Sequence, residues 1–351
     1  MLIFVSCKLF VMKIDRFFIC LFAAVVALCS CKKDEEEKTY GYLLGSLKFD
    51  KDIPEYVAYG YTQTIKMSGA YHPEVSIRPD GTYPDVLGYV VSNPLKTQSD
   101  TIKRYEDPVD MKVEYVFKVD VDTLHSYTLT ASAYAPEYYS SSHSCSFTIV
   151  KPGYGKGFSI TKGFNTDGKV RTLDGKDYFV TEIDGLEWIR QNYADPEGGH
   201  PYKGCEVMTD IFGQYYTWEQ AQEACPDGWR LPTNAEYDKL VEKFGGVGAL
   251  MADVYFNGSK PADKMWTYWP SVGTLSDVSG LSIMPTGYAQ IADDNVYTFF
   301  DLKKRAVLWT SDEEEENGVA RYIFEDQNIL FKGAFNKTNF AASVRCVSDA
   351  N

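Results

Sequence analysis

The chain has 351 residues, 15% of them aromatic and 24% charged, with a formal net charge of −14 at pH 7. A polypeptide this acidic, with no basic stripe to reverse the sign locally, is repelled by phosphate backbones, which excludes nucleic acid as a partner. The length exceeds what one hydrophobic core usually serves, so two domains are expected.

Lys13 and Arg16 precede an apolar run, Phe17 to Leu28, that falls short of the about 20 residues needed to cross a bilayer. Residues 1–30 therefore read as a signal peptide, with Met12 a better start than Met1. The run closes in Leu28-Cys29-Ser30-Cys31, which resembles the bacterial lipobox. That resemblance implies acylation of Cys31, which becomes the first residue of the mature chain. Loss of residues 1–30 removes three basic residues and one acidic one, taking the charge to −16. Lys32-Lys33-Asp34-Glu35-Glu36-Glu37 opens a tether, residues 31–40, too charged to bury itself. The run resembles the acidic export signal beside the lipid cysteine of Bacteroidetes lipoproteins, implying display at the cell surface from the outer membrane. The membrane is thus an expected partner, through the lipid anchor. Outside the leader and Cys31, Cys145, Cys205, Cys225 and Cys346 meet an oxidising compartment, where three pairings are open to them.

Residues 41–150 show period-two alternation over Tyr56–Lys66, Leu87–Val91, Val113–Val119, Ser126–Tyr134 and Ser144–Val150. Arg78-Pro79-Asp80-Gly81, Ser92-Asn93-Pro94 and Asp107-Pro108 supply turn chemistry between them. The pattern predicts an all-β sandwich. Leu87 to Ser92, Leu124 to Leu129 and Ala133-Tyr134 resemble fibronectin type III domains, which implies a spacer, with Tyr127 at a strand corner. Lys151-Pro152-Gly153-Tyr154-Gly155-Lys156-Gly157 lacks the Lys-Ser/Thr and βαβ context of a phosphate loop and reads as a linker over 151–157.

All six tryptophans lie beyond this linker. Thr217-Trp218-Glu219-Gln220 has capping-box spacing and predicts a helix through Ala224; Thr233-Asn234-Ala235-Glu236 repeats it. Tyr237, Leu240, Val241 and Phe244 then form one apolar helix face, which Gly245-Gly246 ends.

Five blocks in register resemble the Fibrobacter succinogenes major paralogous domain. They are Gly175-Lys176-Asp177-Tyr178 with Gly185 to Trp188, Gly213 to Trp218, Cys225 to Pro232 with Ala235-Glu236-Tyr237, Leu308 to Ser311, and Ser343 to Val347. The resemblance implies that residues 158–351 form an α+β, C-type-lectin-like domain: two helices flanking a twisted antiparallel sheet, with a long irregular stretch over 245–305. In that arrangement Cys225 and Cys346 are expected to pair, a staple worth about 4 kcal/mol.

No catalytic or metal motif stands out, and no cofactor is expected. His72, His125, His143 and His200 are scattered, and Cys205 lacks a histidine partner motif. Formylglycine-generating enzymes share the lectin-like fold, but their signature around the second cysteine is absent here. The calcium motifs of lectins are absent too, and Asp312 to Glu316 reads as a solvated acidic loop. Trp266-Thr267-Tyr268-Trp269-Pro270 is the candidate glycan platform, with Trp266, Tyr268 and Trp269 offering flat faces. Asp293, Asp294 and Asn295 add hydroxyl-directed hydrogen bonds, although a core role for the tryptophans and a turn role for Asp293-Asp294-Asn295 fit as well. The expected function is a non-enzymatic surface module for glycan or another extracellular ligand. The alternatives are a structural adhesin or assembly subunit with a protein partner, or a formylglycine-generating type of surface enzyme.

Overall fold

The computed structural model describes residues 38–73, 87–104, 113–121, 123–161, 163–258, 260–267 and 273–350. The expected signal peptide, Cys31, the acidic run, the expected turns at Arg78 to Gly81 and Asp107-Pro108, and the residues Tyr268, Trp269 and Pro270 lie outside the described residues.

Alternation makes Ser126–Tyr134 and Ser141–Val150 neighbouring antiparallel strands. Leu129, Ala131 and Ala133 of the first, with Phe147 and Ile149 of the second, turn inward. These two strands sit inside a five-stranded sheet of order Tyr56–Ala58, Ser141–Val150, Ser126–Tyr134, Leu87–Ser92, Asp100–Arg104. A three-stranded sheet, Leu44–Phe49, Thr62–Tyr71 and Val113–Lys118, closes over it. It adds Leu47, Phe49, Ile65, Met67, Tyr115 and Phe117 to the same core. The first unit is an all-β sandwich. The single strand expected over Tyr56–Lys66 is two, because Gly60 adopts φ 86° and sends the flanking strands into different sheets.

The outward face of the central pair carries four hydroxyl rungs, Ser126–Thr148, Thr128–Ser146, Thr130–Ser144 and Ser132–Ser142, each 2.7–2.9 Å long. Such cross-strand pairs stiffen the sheet. A ten-residue strand is about 33 Å long, so Ser141–Val150 runs from Tyr138–Tyr139, paired with Gly41–Tyr42, to the linker at the opposite end.

The linker is irregular but not loose, since the Tyr154 hydroxyl donates to Ile211 O at 3.1 Å. Beside it, Lys203 pairs with Glu55 at 2.7 Å and Asn257 Nδ2 donates to Ile149 O at 3.1 Å.

The second unit holds two main sheets. Lys169–Leu173, Lys176–Ile183, Leu186–Ile189 and Val347–Asp349 form one, antiparallel throughout. The larger runs His200–Pro201, Gln214–Tyr216, Phe340–Ser343, Arg305–Glu314, Asn317–Phe324, Phe331–Asn336. The hairpin Tyr288–Ile291 and Tyr297–Phe300 joins it through Phe340–Ser343. Its sheet is not wholly antiparallel, because Phe340–Ser343 meets Arg305–Glu314 in parallel at Ser343 and Leu308.

Both expected helices form, over Trp218–Ala224 and Asn234–Phe244, each with its complete capping box at Thr217 or Thr233. Gly245 ends the second in a left-handed cap. Tyr237 and Leu240 pack with Ala306, Leu308 and Ile323, whereas Ala221 and Ala224 pack with Val307, Trp309 and Ala320. Successive strand residues face opposite ways, so the helices flank the large sheet on its two sides. The disulfide Cys225–Cys346 is present, its Cα atoms 5.8 Å apart. Asp312 to Glu316 is a strand end and turn, not a free loop. Asp312 Oδ2 accepts from Asn234 N at 2.6 Å at the helix start, and Glu313 and Glu314 pair with Lys337 and Lys332.

Candidate binding cleft

Where the linker meets the second unit, four separate stretches of chain surround a cleft of about 330 Å³. Pro152, Gly153, Tyr154 and Phe158 form one wall, the strand residues Lys176 to Phe179 another, and Gln191, Asn192, Thr209 and Asp210 complete the lining. Gly153, at φ 123°, is what lets the Phe158 ring come close: a Cβ there would sit 2.5 Å from Phe158 Cδ1. Phe158 remains 41% exposed, so one aromatic ring is open to a ligand.

Most polar groups of the lining are already engaged. The Tyr178 hydroxyl donates to Ala194 O at 3.3 Å and accepts from Ala194 N at 3.2 Å, and burial pushes its pKa up, keeping it neutral. Gln191 Oε1 accepts from Phe179 N at 2.8 Å. Asn192 Nδ2 donates to Phe212 O, Thr286 Oγ1 and Ser343 Oγ at 3.0–3.2 Å and so braces the wall from behind. Lys176 and Asp210 form an ion pair at 2.5 Å. Thr209 Oγ1 is different: it is enclosed and has no hydrogen-bond partner among the described residues.

Aromatic rings and two carboxylates, Asp177 and Asp210, around a concave space are groups suited to a small polyhydroxylated ligand. A nucleophile-and-base pair is not among them. Among the described residues no group of three or more histidine, cysteine, aspartate or glutamate side chains is gathered to hold a metal ion. His200 stacks on Tyr297 at 3.9 Å and lies with Nδ1 2.7 Å from Pro201 O. His143 Nε2 is 3.2 Å from Asp52 Oδ1 in the sandwich. The Cys205 thiol is buried, which pushes its pKa up, away from the reactive thiolate.

The expected glycan platform is corrected at its first residue. Trp266 is 0% exposed, packs with Trp188, Leu250, Met251, Leu281 and Ile283, and donates through Nε1 to Ile283 O at 3.2 Å. A ring with no accessible face cannot stack on a sugar. Trp266→Phe is therefore expected to lower stability by about 2 kcal/mol through lost volume and a lost hydrogen bond. Denaturant unfolding checks this, and an unchanged midpoint would contradict the core assignment. Asp293, Asp294 and Asn295 stand together, exposed, at the tip of the hairpin Tyr288–Ile291/Tyr297–Phe300. Asn295 takes φ 60° and its N–H donates to Ala292 O at 2.9 Å, so turn geometry accounts for them. They are not part of the cleft. The cleft residues themselves carried no sequence signal beyond the linker's Pro-Gly-Tyr-Gly, because they come from segments far apart in the chain.

Comparison with known proteins follows the same division. Residues 180–348 match the model of the Fibrobacter succinogenes major domain. The match takes in both capped helices, the large sheet and the disulfide, while Pro152 to Phe158 and Lys176 to Phe179 of the cleft lie outside it. No curated protein matches the chain. Among solved structures, a superoxide reductase (neelaredoxin) from Ignicoccus hospitalis is 15% identical, covering 30% of this chain and 82% of that one, at TM-score 0.21. The chicken CNTN1 FN1–FN3 domains are 11% identical, covering 45% of this chain and 44% of that one, at TM-score 0.19. Likenesses at these scores bear on neither the fold nor the function of this chain.

Proposed function

We propose that the chain is a lipid-anchored surface protein in which a fibronectin-like sandwich holds out a C-type-lectin-like domain for binding, without catalysis. In this reading Cys31 carries the lipid, the outer membrane is the site of display, and the cleft between linker and second domain takes a glycan. The observation that carries the ligand assignment is the exposed Phe158 ring set in a concave lining that also holds the exposed Asp177 and Asp210. A sugar's hydroxyls would meet the carboxylates of Asp177 and Asp210 while the C–H face of its ring stacks on Phe158.

A glycan array probed with the labelled full chain tests the reading. Phe158→Ala and Asp177→Asn are each expected to weaken the strongest glycan signal by about tenfold, the equivalent of about 1.4 kcal/mol, with little change in unfolding midpoint. An array on which the folded wild type binds nothing would overturn the glycan assignment and favour a protein partner.

A further inference from the structure

Among the described residues, a cluster of exposed apolar side chains lies far from the cleft, at the opposite end of the sandwich. Tyr40, Tyr42, Leu44, Tyr71 and Tyr139 are each 43–76% exposed. Tyr139 lies 5.5 Å from Tyr40 and 5.0 Å from Tyr42, ring centre to ring centre. Leu43 packs into the sandwich core, so its neighbours Tyr42 and Leu44 point outward. Leu44 is paired across the sheet with Tyr71, which places both side chains on one face. The five form one patch, four-fifths tyrosine, in a chain otherwise rich in charge.

Its position gives it a meaning that composition alone does not. The chain enters the sandwich here: Lys38 is the first described residue, and Cys31 is seven residues before it. Seven residues reach at most about 25 Å when fully extended. The second domain hangs from the other end of a strand about 33 Å long. A protein anchored at Cys31 therefore carries this patch, and not the cleft, within reach of the bilayer. Tyrosine, with an apolar ring and a polar tip, is the side chain that concentrates at the boundary between headgroups and hydrocarbon.

We infer that Tyr40, Tyr42, Leu44, Tyr71 and Tyr139 seat the base of the sandwich in the headgroup layer of a membrane, so that the module stands upright on its anchor. The inference rests on the lipid-anchor reading of Cys31. The acidic run Asp34 to Glu37 is repelled by anionic surfaces, so a zwitterionic surface suits the seat best.

The test uses the acylated full-length product reconstituted in phosphatidylcholine vesicles, with and without bromine on the acyl chains. All six natural tryptophans are in the second domain, so Tyr42→Trp adds an emitter at the base alone. Its added emission is expected to fall on brominated vesicles, while wild type and an Ile329→Trp control on the second domain keep theirs. Replacing Tyr40 and Tyr139 by serine alongside Tyr42→Trp should abolish the loss. A Tyr42→Trp protein that floats with the vesicles and is not quenched overturns the seat and leaves the anchor standing. Protein that fails to float, or floats equally well as Cys31→Ala, overturns the anchor reading and the seat with it. Emission at position 42 that responds to glycans but not to brominated lipid reassigns the patch to sugars.

Discussion

Replacing Arg345 with methionine is expected to destabilise the second domain by about 4 kcal/mol, although the variant removes a charge from an apolar interior. Arg345 is 1% exposed, and burial pulls its pKa down to about 10, which still leaves it charged at neutral pH. It has no carboxylate in direct contact among the described residues. Its guanidinium instead donates to Asn192 Oδ1 at 2.9 Å, Ile189 O at 3.1 Å, Leu281 O at 2.7 Å and Ser282 O at 3.4 Å. Relief of the buried charge favours the variant, but the acceptors remain behind. Each orphaned acceptor costs about 1–3 kcal/mol, and removing one side of a buried polar arrangement costs about 3–5 kcal/mol in comparable cases. The acceptors win.

The same network fixes residues 277–283. Arg190 donates to Ser282 Oγ at 3.1 Å and to Gly280 O, and Asp277 accepts from Ser282 N and Oγ at 2.8 and 2.7 Å. Two arginines and one aspartate thus do for residues 277–283 what a sheet ladder does elsewhere. Lysine at 345 keeps the charge but presents one ammonium where a planar fork meets four acceptors, so Arg345→Lys should recover only about half of the loss. Denaturant unfolding followed by tryptophan emission measures both, and hydrogen exchange at residues 277–283 localises the effect. An Arg345→Met midpoint within about 1 kcal/mol of wild type would show that the guanidinium does not hold this stretch.

Local signals were legible in the sequence because their partners are local. Each capping box needs only Thr217 and Gln220, or Thr233 and Glu236, and both helices begin and end where those residues and Gly245 say. The sandwich strands were legible for the same reason, since alternation reports one face at a time. Gly60 was missed as a break because the apolar alternation continues on both sides of it. The cleft was not legible at all. Its lining joins Phe158 to Phe179, Gln191 and Thr209, residues brought together only when the linker, the small sheet and the turn before Gly213 are in place. Trp266 stayed open between platform and core for a physical reason too: a tryptophan-rich stretch has the same composition whether it covers a core or faces water, and only the surroundings of Ile283 and Met251 decide. Arg345 carried no mark of burial in the sequence, since arginine is rarely so enclosed.

Opening the disulfide should cost a similar amount by a different route. Cys225 ends the helix Trp218–Ala224 and Cys346 precedes the strand Val347–Asp349, 121 residues later. A crosslink closing a loop of this length lowers the entropy of the unfolded chain enough to stabilise the fold by about 4 kcal/mol, so Cys225→Ala with Cys346→Ala should lose about that much. Tryptophan emission reads the second domain alone, so its transition should move to lower denaturant. The sandwich core contains no residue of the second domain and should keep its own transition. A tryptophan transition that does not move would show the bridge to be idle. The bridge and Arg345 are adjacent in the chain, and Arg230 N and O both bond Val347 at 2.9 Å just beyond them. Losing either loosens the strand on which the other depends. The triple variant Cys225→Ala, Cys346→Ala, Arg345→Met is therefore expected to fall short of the sum of the separate losses by about 1 kcal/mol or more, the signature of sites that share one structural element.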